Sequence, residues 1–236
     1  MNQQQIEKRT SRTDVLSVHS VFYTIQGEGP FCGTPAVFIR LAGCNLQCPA
    51  CDTDYTSQRS DRTVNDLVRE VRTIHHTIEP GLVVITGGEP FRQNISQLLH
   101  ALVSKGYFVQ IETNGSLEPS DYPYSTVPDI RAGAYIVVSP KAGKVHPKIA
   151  ERACCYKYVM NAKDVDTEDG LPTRALGHAC RRLARPIRDY NRVVYLQPQD
   201  DKNEQANNAN LQAVIKSCMD YGYTLQLQVH KIIGME

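Results

Sequence analysis

The chain has 236 residues, 41% hydrophobic and 22% charged, enough for one sizeable core and cramped for two domains. Its 26 Lys and Arg face 25 Asp and Glu, so no basic field points to bulk nucleic-acid binding, and no apolar run approaches the roughly 20 residues that span a bilayer. Residues 1–14 are polar, with no apolar segment behind them of the kind a secretory signal carries; with eight cysteines, this implies reduced thiols, a possible metal site and a cytoplasmic compartment.

In chain order, residues 1–14 read as a flexible tail and 15–236 as a single domain. Val18–Ile25 and Ala36–Leu41 are rich in aromatic and β-branched residues and predict strands. Thr63 is placed to cap a helix whose apolar face is Val64, Leu67, Val68, Val71 and Ile74. The short apolar run Leu82–Ile85 predicts a strand buried on both faces. A helix bearing Ile95, Leu98, Leu99 and Leu102 follows, then strands at Tyr107–Ile111 and Tyr135–Val138. Further strands are expected at Cys155–Met160 and Val193–Leu196, with a helix near 173–184 between them. The last helix sets Leu211, Val214, Ile215 and Cys218 on one face, before a final strand near Thr224–Val229. Repeated βα units imply a parallel sheet, and periodicity alone leaves open whether it is open or curled into a partial barrel.

Ligands collect at the carboxyl ends of parallel strands. Five polar or glycine-containing segments fall there: Cys44-Asn-Leu-Gln-Cys48-Pro-Ala-Cys51, Thr86-Gly87-Gly88-Glu89-Pro90, Glu112-Thr113-Asn114-Gly115, Ser139-Pro140-Lys141 and Gln197-Pro198-Gln199-Asp200. Three thiols within eight residues can converge on a metal centre. Zinc sites are usually closed by four ligands, and no second close pair follows; Cys154 and Cys155 are adjacent, and a regular strand turns them to opposite faces. Iron–sulfur clusters also usually take four thiolates, so three would leave one iron open to an external ligand.

The C-x3-C-x2-C spacing, followed about 35 residues later by Gly-Gly-Glu, resembles the radical S-adenosylmethionine superfamily. Phe22-Tyr-Thr-Ile-Gln-Gly-Glu-Gly-Pro30, Phe38-Ile-Arg40-Leu-Ala-Gly-Cys44 and Cys51-Asp-Thr53 narrow this to a likeness with 7-carboxy-7-deazaguanine synthases, running from about residue 16 to the C-terminus. The resemblance implies an abbreviated α/β fold, a partial (β/α) barrel. It implies a [4Fe–4S] cluster on Cys44, Cys48 and Cys51, whose open iron binds S-adenosylmethionine and cleaves it to a 5′-deoxyadenosyl radical. Gly88, Ser139, Pro140, Lys141, Gln197, Pro198, Gln199 and Asp200 would hold S-adenosylmethionine, and the glycines would admit its methionyl end. Ile25, Gln26, Gly27, Arg40, Thr86 and the C-terminal Glu236 would contact substrate, and Thr53 would bind Mg2+. The implied reaction is ring contraction of 6-carboxy-5,6,7,8-tetrahydropterin to 7-carboxy-7-deazaguanine with loss of ammonia, in queuosine and deazapurine biosynthesis. A homodimer and an electron donor such as flavodoxin or ferredoxin come with it.

These roles suit the residue types. The Arg40 fork matches a carboxylate, and an Arg on an apolar strand is costly without a partner. Gln26 can donate and accept along a pterin edge, or serve as a turn amide. Thr53 offers a hard oxygen, or with Asp52 caps a helix. Glu112 could reach ribose hydroxyls or the pterin. Many superfamily members carry an aromatic residue just before the third cysteine; here it is Ala50. Two other functions fit parts of the pattern: activation of a partner protein by forming a glycyl radical, and non-catalytic electron transfer.

Overall fold

The computed structural model describes residues 2–75, 80–128, 133–178 and 180–235. Nine strands form one sheet in the order β3-β1-β2-β4-β5-β6-β7-β8-β9. Here β1 is Val15–Ile25, β2 Pro35–Leu41, β3 Ser60–Thr63, β4 Leu82–Gly87, β5 Phe108–Thr113, β6 Gly133–Val138, β7 Ala153–Met160, β8 Val193–Pro198 and β9 Thr224–Leu225. From β2 to β9 every pairing is parallel and follows chain order, whereas β1 runs antiparallel to β2 and β3. A doubly wound sheet reverses strand order at a switch point; the parallel run from β2 through β4 to β9 never does, which is the order of a (β/α) barrel. The edge strands β3 and β9 are not paired with each other among the described residues, so the barrel is partial.

Alternation along each strand separates packing from chemistry. Val37, Ile39, Val83, Ile85, Val109 and Ile111 join the main core with the buried faces of helices α1 (Val64–Ile74) and α2 (Ser96–Val103). On the opposite face, Ala36, Leu82, Phe108, Tyr135 and Cys155 form a second apolar cluster at the amino ends of the strands. The same face continues toward the carboxyl ends as Arg40, Thr86, Glu112, Ser139, Lys157 and Gln197, all lining one cavity. An apolar floor with polar walls is therefore written into the strands themselves.

Thr63 caps α1 as expected, its hydroxyl accepting from Asp66 N at 3.1 Å. Several elements depart from expectation. No helix occupies the described residues of 173–184. Leu176 and Gly177 take left-handed backbone there, while Arg182 and Arg185 pair with Asp166 and Asp169, bracing an irregular connection. The last strand stops at Leu225 because Gln226 turns to bond the backbone of Gly29, at 2.8 and 3.1 Å, and the chain then enters α5 (Val229–Ile232). Helix α4 (Glu204–Tyr221) buries Asn210, Val214 and Ser217, a face rotated from the expected one, because Asn210 bonds Ala162 N and Gln199 O. Cys154 and Cys155 do not diverge: the β6–β7 register shifts between Ala153 and Cys155, and this bulge brings the two Sγ atoms to 3.8 Å. Helix α3 (Pro147–Arg152) and strand β3 carry too few periodic residues to have been read.

Candidate active site

The three-cysteine loop leaves β2 at Leu41 and is fixed by backbone contacts before any ligand is considered. Gly88 N donates to Leu41 O at 3.2 Å, and Glu89 N to Gly43 O at 3.1 Å. These bonds need glycine on the facing strand. A Cβ on Gly88 would stand 2.5 Å from the Gly43 carbonyl carbon and 2.9 Å from Cys44 N, and one on Gly87 (φ +118°) 2.6 Å from Leu41 N. The backbone that Gly87 and Gly88 admit is that of residues 41–44. Glu89 is fully buried; it accepts from Thr113 Oγ1 at 2.7 Å, Asn114 N at 2.8 Å and Phe91 N at 3.0 Å, tying the loop after β4 to the loop after β5. Pro90 opens a short 3-10 turn, not a helix.

Residues 2–10, read above as a flexible tail, run along the outside of the cysteine loop. Asn2 N donates to Pro49 O at 3.0 Å and Glu7 N to Cys44 O at 2.8 Å. The Gln4 side chain donates to Thr53 O at 2.9 Å and accepts from Tyr55 N at 2.8 Å. Buried Arg92 donates to Ala42 O at 2.8 Å and pairs with Glu7 at 3.3 Å.

Cys44 and Cys48 are buried and Cys51 half-buried, and all three line the cavity. Burial pushes the Cys44 thiol up to about 12 and raises Cys48 and Cys51; the Lys141 ammonium acts against burial at the latter two. Leu46 N–H points at Cys44 Sγ at 3.4 Å. Among the described residues no three Cys, His, Asp or Glu side chains close on a single-ion site. The three thiols share one loop on the cavity wall, and Lys141 acts on two of them, a positive charge that offsets thiolates. The donor set fits a three-thiolate cluster better than zinc.

A cavity of about 360 Å3 opens beside these thiols. The five segments expected at the strand ends all contribute to it: the cysteine loop, Thr86–Gly88, Glu112–Asn114, Ser139 with Lys141, and Gln197 with Gln199 and Asp200. Ile25, Gln26, Arg40 and Thr53 also line it; Gly27, Pro140 and Pro198 do not, and Glu236 lies outside the described residues. Gly27 has a different use. A Cβ there would meet the ring of His230 and stand 2.9 Å from its backbone nitrogen, so the glycine lets α5 close on the loop after β1.

Glu112 is the polar hub of the wall. Its Oε1 accepts from Gln110 Nε2 at 2.9 Å and Gln26 Nε2 at 3.1 Å, and its Oε2 from Thr86 Oγ1 at 3.2 Å. Burial raises its pKa against those three donors. The Gln26 amide is thus committed to Glu112 and, through Oε1, to Glu28 N at 3.0 Å. Arg40 lies over the Phe22 ring, 5.1 Å from its centroid, and Phe22 stacks on Phe38 at 5.3 Å. Lys141 is folded onto Ser139 O at 2.9 Å, and burial lowers its pKa while Cys48, Asp52 and Cys51 oppose that. Thr53 caps no helix, since the next one begins at Val64; its Oγ1 stands 3.4 Å from Asp52 Oδ1.

Sequence reading missed Glu28, Lys157, Leu176, Gln228 and His230, which also line the cavity. Lys157 carried a usable signal, a lone charge in the apolar run Cys155–Met160. Leu176 carried none: it arrives on the irregular 170s connection, where its carbonyl accepts from Ala50 N at 3.0 Å beside the third cysteine.

Three thiols on one strand-end loop, a glycine pair locking that loop and a polar cavity beside it suit a cluster-dependent enzyme, and residues 38–161 match the Radical SAM superfamily, which places the chain among radical enzymes. The 7-carboxy-7-deazaguanine synthase of Rhodospirillum rubrum is 40% identical over 225 residues, covering 92% of each chain. That of Aquifex aeolicus is 34% identical over 98% of this chain and all of its own. The crystal structure of QueE from Escherichia coli superposes with a TM-score of 0.69 at 27% identity, over 91% of this chain and 94% of that one. The chain belongs to the 7-carboxy-7-deazaguanine synthase family of radical SAM enzymes. Membership implies a [4Fe–4S] cluster and S-adenosylmethionine, which the donor set around Cys44, Cys48 and Cys51 can accept. No helix among the described residues is long and apolar enough to cross a membrane.

Proposed function

We propose that this chain converts 6-carboxy-5,6,7,8-tetrahydropterin to 7-carboxy-7-deazaguanine with loss of ammonia. The observation that carries the reading is the composition of one cavity: three thiols on one loop together with Arg40, Thr86 and the Glu112 hub, a carboxylate fork beside a row of donors and acceptors. When bound, the cluster and S-adenosylmethionine supply a carbon radical that removes the substrate hydrogen at C6. The protein's part is to place that hydrogen. Arg40 would take the pterin carboxylate through paired N–H bonds while Phe22 fixes the guanidinium plane. Glu112, oriented by Gln26, Gln110 and Thr86, would accept from the pterin N–H edge, with Ile25 against the ring, Gly27 shaping the loop beside it and Glu236 as a further substrate contact. Ser139, Lys141, Gln197, Gln199 and Asp200 would hold S-adenosylmethionine, with Gly88, Pro140 and Pro198 shaping the backbone around it. Thr53, with Asp52 3.4 Å away, would hold Mg2+ against substrate oxygens.

Exposed Leu225, Leu227, Ile232, Ile233 and Met235 beside the β9 edge support a homodimer. A flavodoxin or ferredoxin is the fitting electron donor, and the cytoplasm the fitting compartment. A polar cavity of about 360 Å3, of a size for a small substrate, favours this reading over glycyl-radical activation of a partner protein. Anaerobic reconstitution followed by mass analysis of products tests it: 6-carboxytetrahydropterin should become 7-carboxy-7-deazaguanine with no second protein present. Consumption of S-adenosylmethionine with the pterin unchanged would overturn the assignment.

A further inference from the structure

One charged pair on the cavity wall has no part in the steps above. Lys157, on the inward face of β7, pairs with Glu28, which directly follows Ile25–Gly27. Both line the cavity, yet Lys157 is only 6% exposed and Glu28 8%. Glu28 is fully supplied as an anion: its other oxygen accepts from Gln228 Nε2 at 2.7 Å and Gln197 Nε2 at 3.3 Å. Lys157 has three N–H donors and, among the described residues, bonds only Glu28. A buried ion pair is a poor source of stability, so a pair kept on a substrate wall calls for a chemical reason.

The reaction supplies one, on the substrate reading proposed above. Once the ring has contracted, an amine must leave, and it leaves as ammonia only if its nitrogen gains a proton. The other cavity groups suit this less well. Glu112 is held by three donors, and Lys141 is bonded to Ser139 beside the cysteines. Arg40 is given to the pterin carboxylate and lies over the Phe22 ring. His230, facing Lys157 from α5, is held toward its neutral form by burial and by Lys231 and Lys157.

We propose that Lys157, oriented by Glu28, is the general acid that protonates the departing amine and then recovers a proton from the substrate. The C–N bond breaks with its electron pair going to nitrogen, which takes a proton from the Lys157 ammonium. The adjacent ring C–H pair becomes the new C=C bond of the pyrrole, and the proton it releases returns to the Lys157 amine. Ammonia is lost and the pair is restored, with no oxidant or reductant needed. Burial lowers the Lys157 pKa to about 8, where the amine can both give and take a proton near neutrality.

The test uses reconstituted holoenzyme and pterin deuterated at C6, with Lys157→Arg and the charge-neutral pair Lys157→Met/Glu28→Gln. Lys157→Arg retains the ion pair itself and the double variant removes both of its charges, so neither leaves a buried charge unpaired. The expected result is normal iron content, pterin affinity by calorimetry and transfer of deuterium into S-adenosylmethionine, with ammonia release about 100-fold slower. Wild-type turnover should fall as pH rises past about 8. Ammonia release at the wild-type rate in Lys157→Arg would overturn the proposal. So would loss of pterin affinity together with deuterium transfer, which would make the pair a binding element. A wild-type enzyme that leaves the pterin unchanged would overturn the substrate reading and this proposal with it.

Discussion

Gly88→Ala is the smallest change that should unseat the cluster. The added methyl would lie 2.5 Å from the Gly43 carbonyl carbon and 2.9 Å from Cys44 N, while ordinary contact begins near 3.4 Å. The obstructing atoms are backbone, so no rotamer change relieves the clash. Either the loop retreats by about 1 Å, carrying Cys44 with it, or the overlap is retained. Retreat stretches the Gly88–Leu41 and Glu89–Gly43 bonds, worth about 1 kcal/mol each, and overpacking costs about 1–3 kcal/mol. A loss of about 3 kcal/mol in a chain of this size corresponds to a drop of roughly 6–12 °C in melting temperature. Iron and sulfide per chain after reconstitution should fall along with it. Gly143→Ala, whose Cβ would meet only Arg182 O at 3.1 Å, should leave both readings near wild type. A Gly88→Ala protein with full iron content and an unchanged melting temperature would refute the account of this motif.

Arg40→Lys keeps the charge but loses the fork and its seat on Phe22, so pterin binding or turnover should weaken by about 2–4 kcal/mol with S-adenosylmethionine affinity unchanged; undiminished pterin affinity would remove Arg40 from that role. Thr53→Ala should shift the Mg2+ dependence of turnover and leave the melting temperature of the substrate-free protein nearly alone, because no helix depends on it; turnover equally fast in wild type after exhaustive removal of divalent ions would end the Mg2+ assignment. The cluster-free protein should lose stability as pH rises from 9 toward 12: burial raises the Cys44 pKa, so above the ordinary thiol value the unfolded chain ionises first and is favoured. Melting in Cys44→Ala should fall less steeply over that interval, and identical curves would show that this thiol does not control it.

The strands other than β3 and the end of β9, the cysteine loop and the five strand-end segments were legible because each rests on local pattern: apolar runs, alternation, glycine, closely spaced thiols. What was not legible depends on contacts far apart in the chain. Leu176 reaches the cavity on a connection whose shape is set by Asp166 and Asp169 meeting Arg182 and Arg185. Residues 2–10 follow the cysteine loop through backbone bonds that composition does not encode. Gln26 was read as a contact for substrate; that its buried amide also bonds Glu112 rests on a 3.1 Å contact across 86 residues that no local pattern shows. The bulge at Cys154 inverted a facing inferred from strict alternation, since one extra residue moves a side chain to the other face.

The central claim is that one small cavity performs a radical ring contraction with S-adenosylmethionine reused. Its most direct test is the stoichiometry of anaerobic turnover with a chemical reductant, comparing wild type with Cys48→Ala. The account predicts equal amounts of 7-carboxy-7-deazaguanine and ammonia, many of each per S-adenosylmethionine consumed, and neither from Cys48→Ala. Irreversible consumption of S-adenosylmethionine without ammonia, or product from Cys48→Ala, would contradict it.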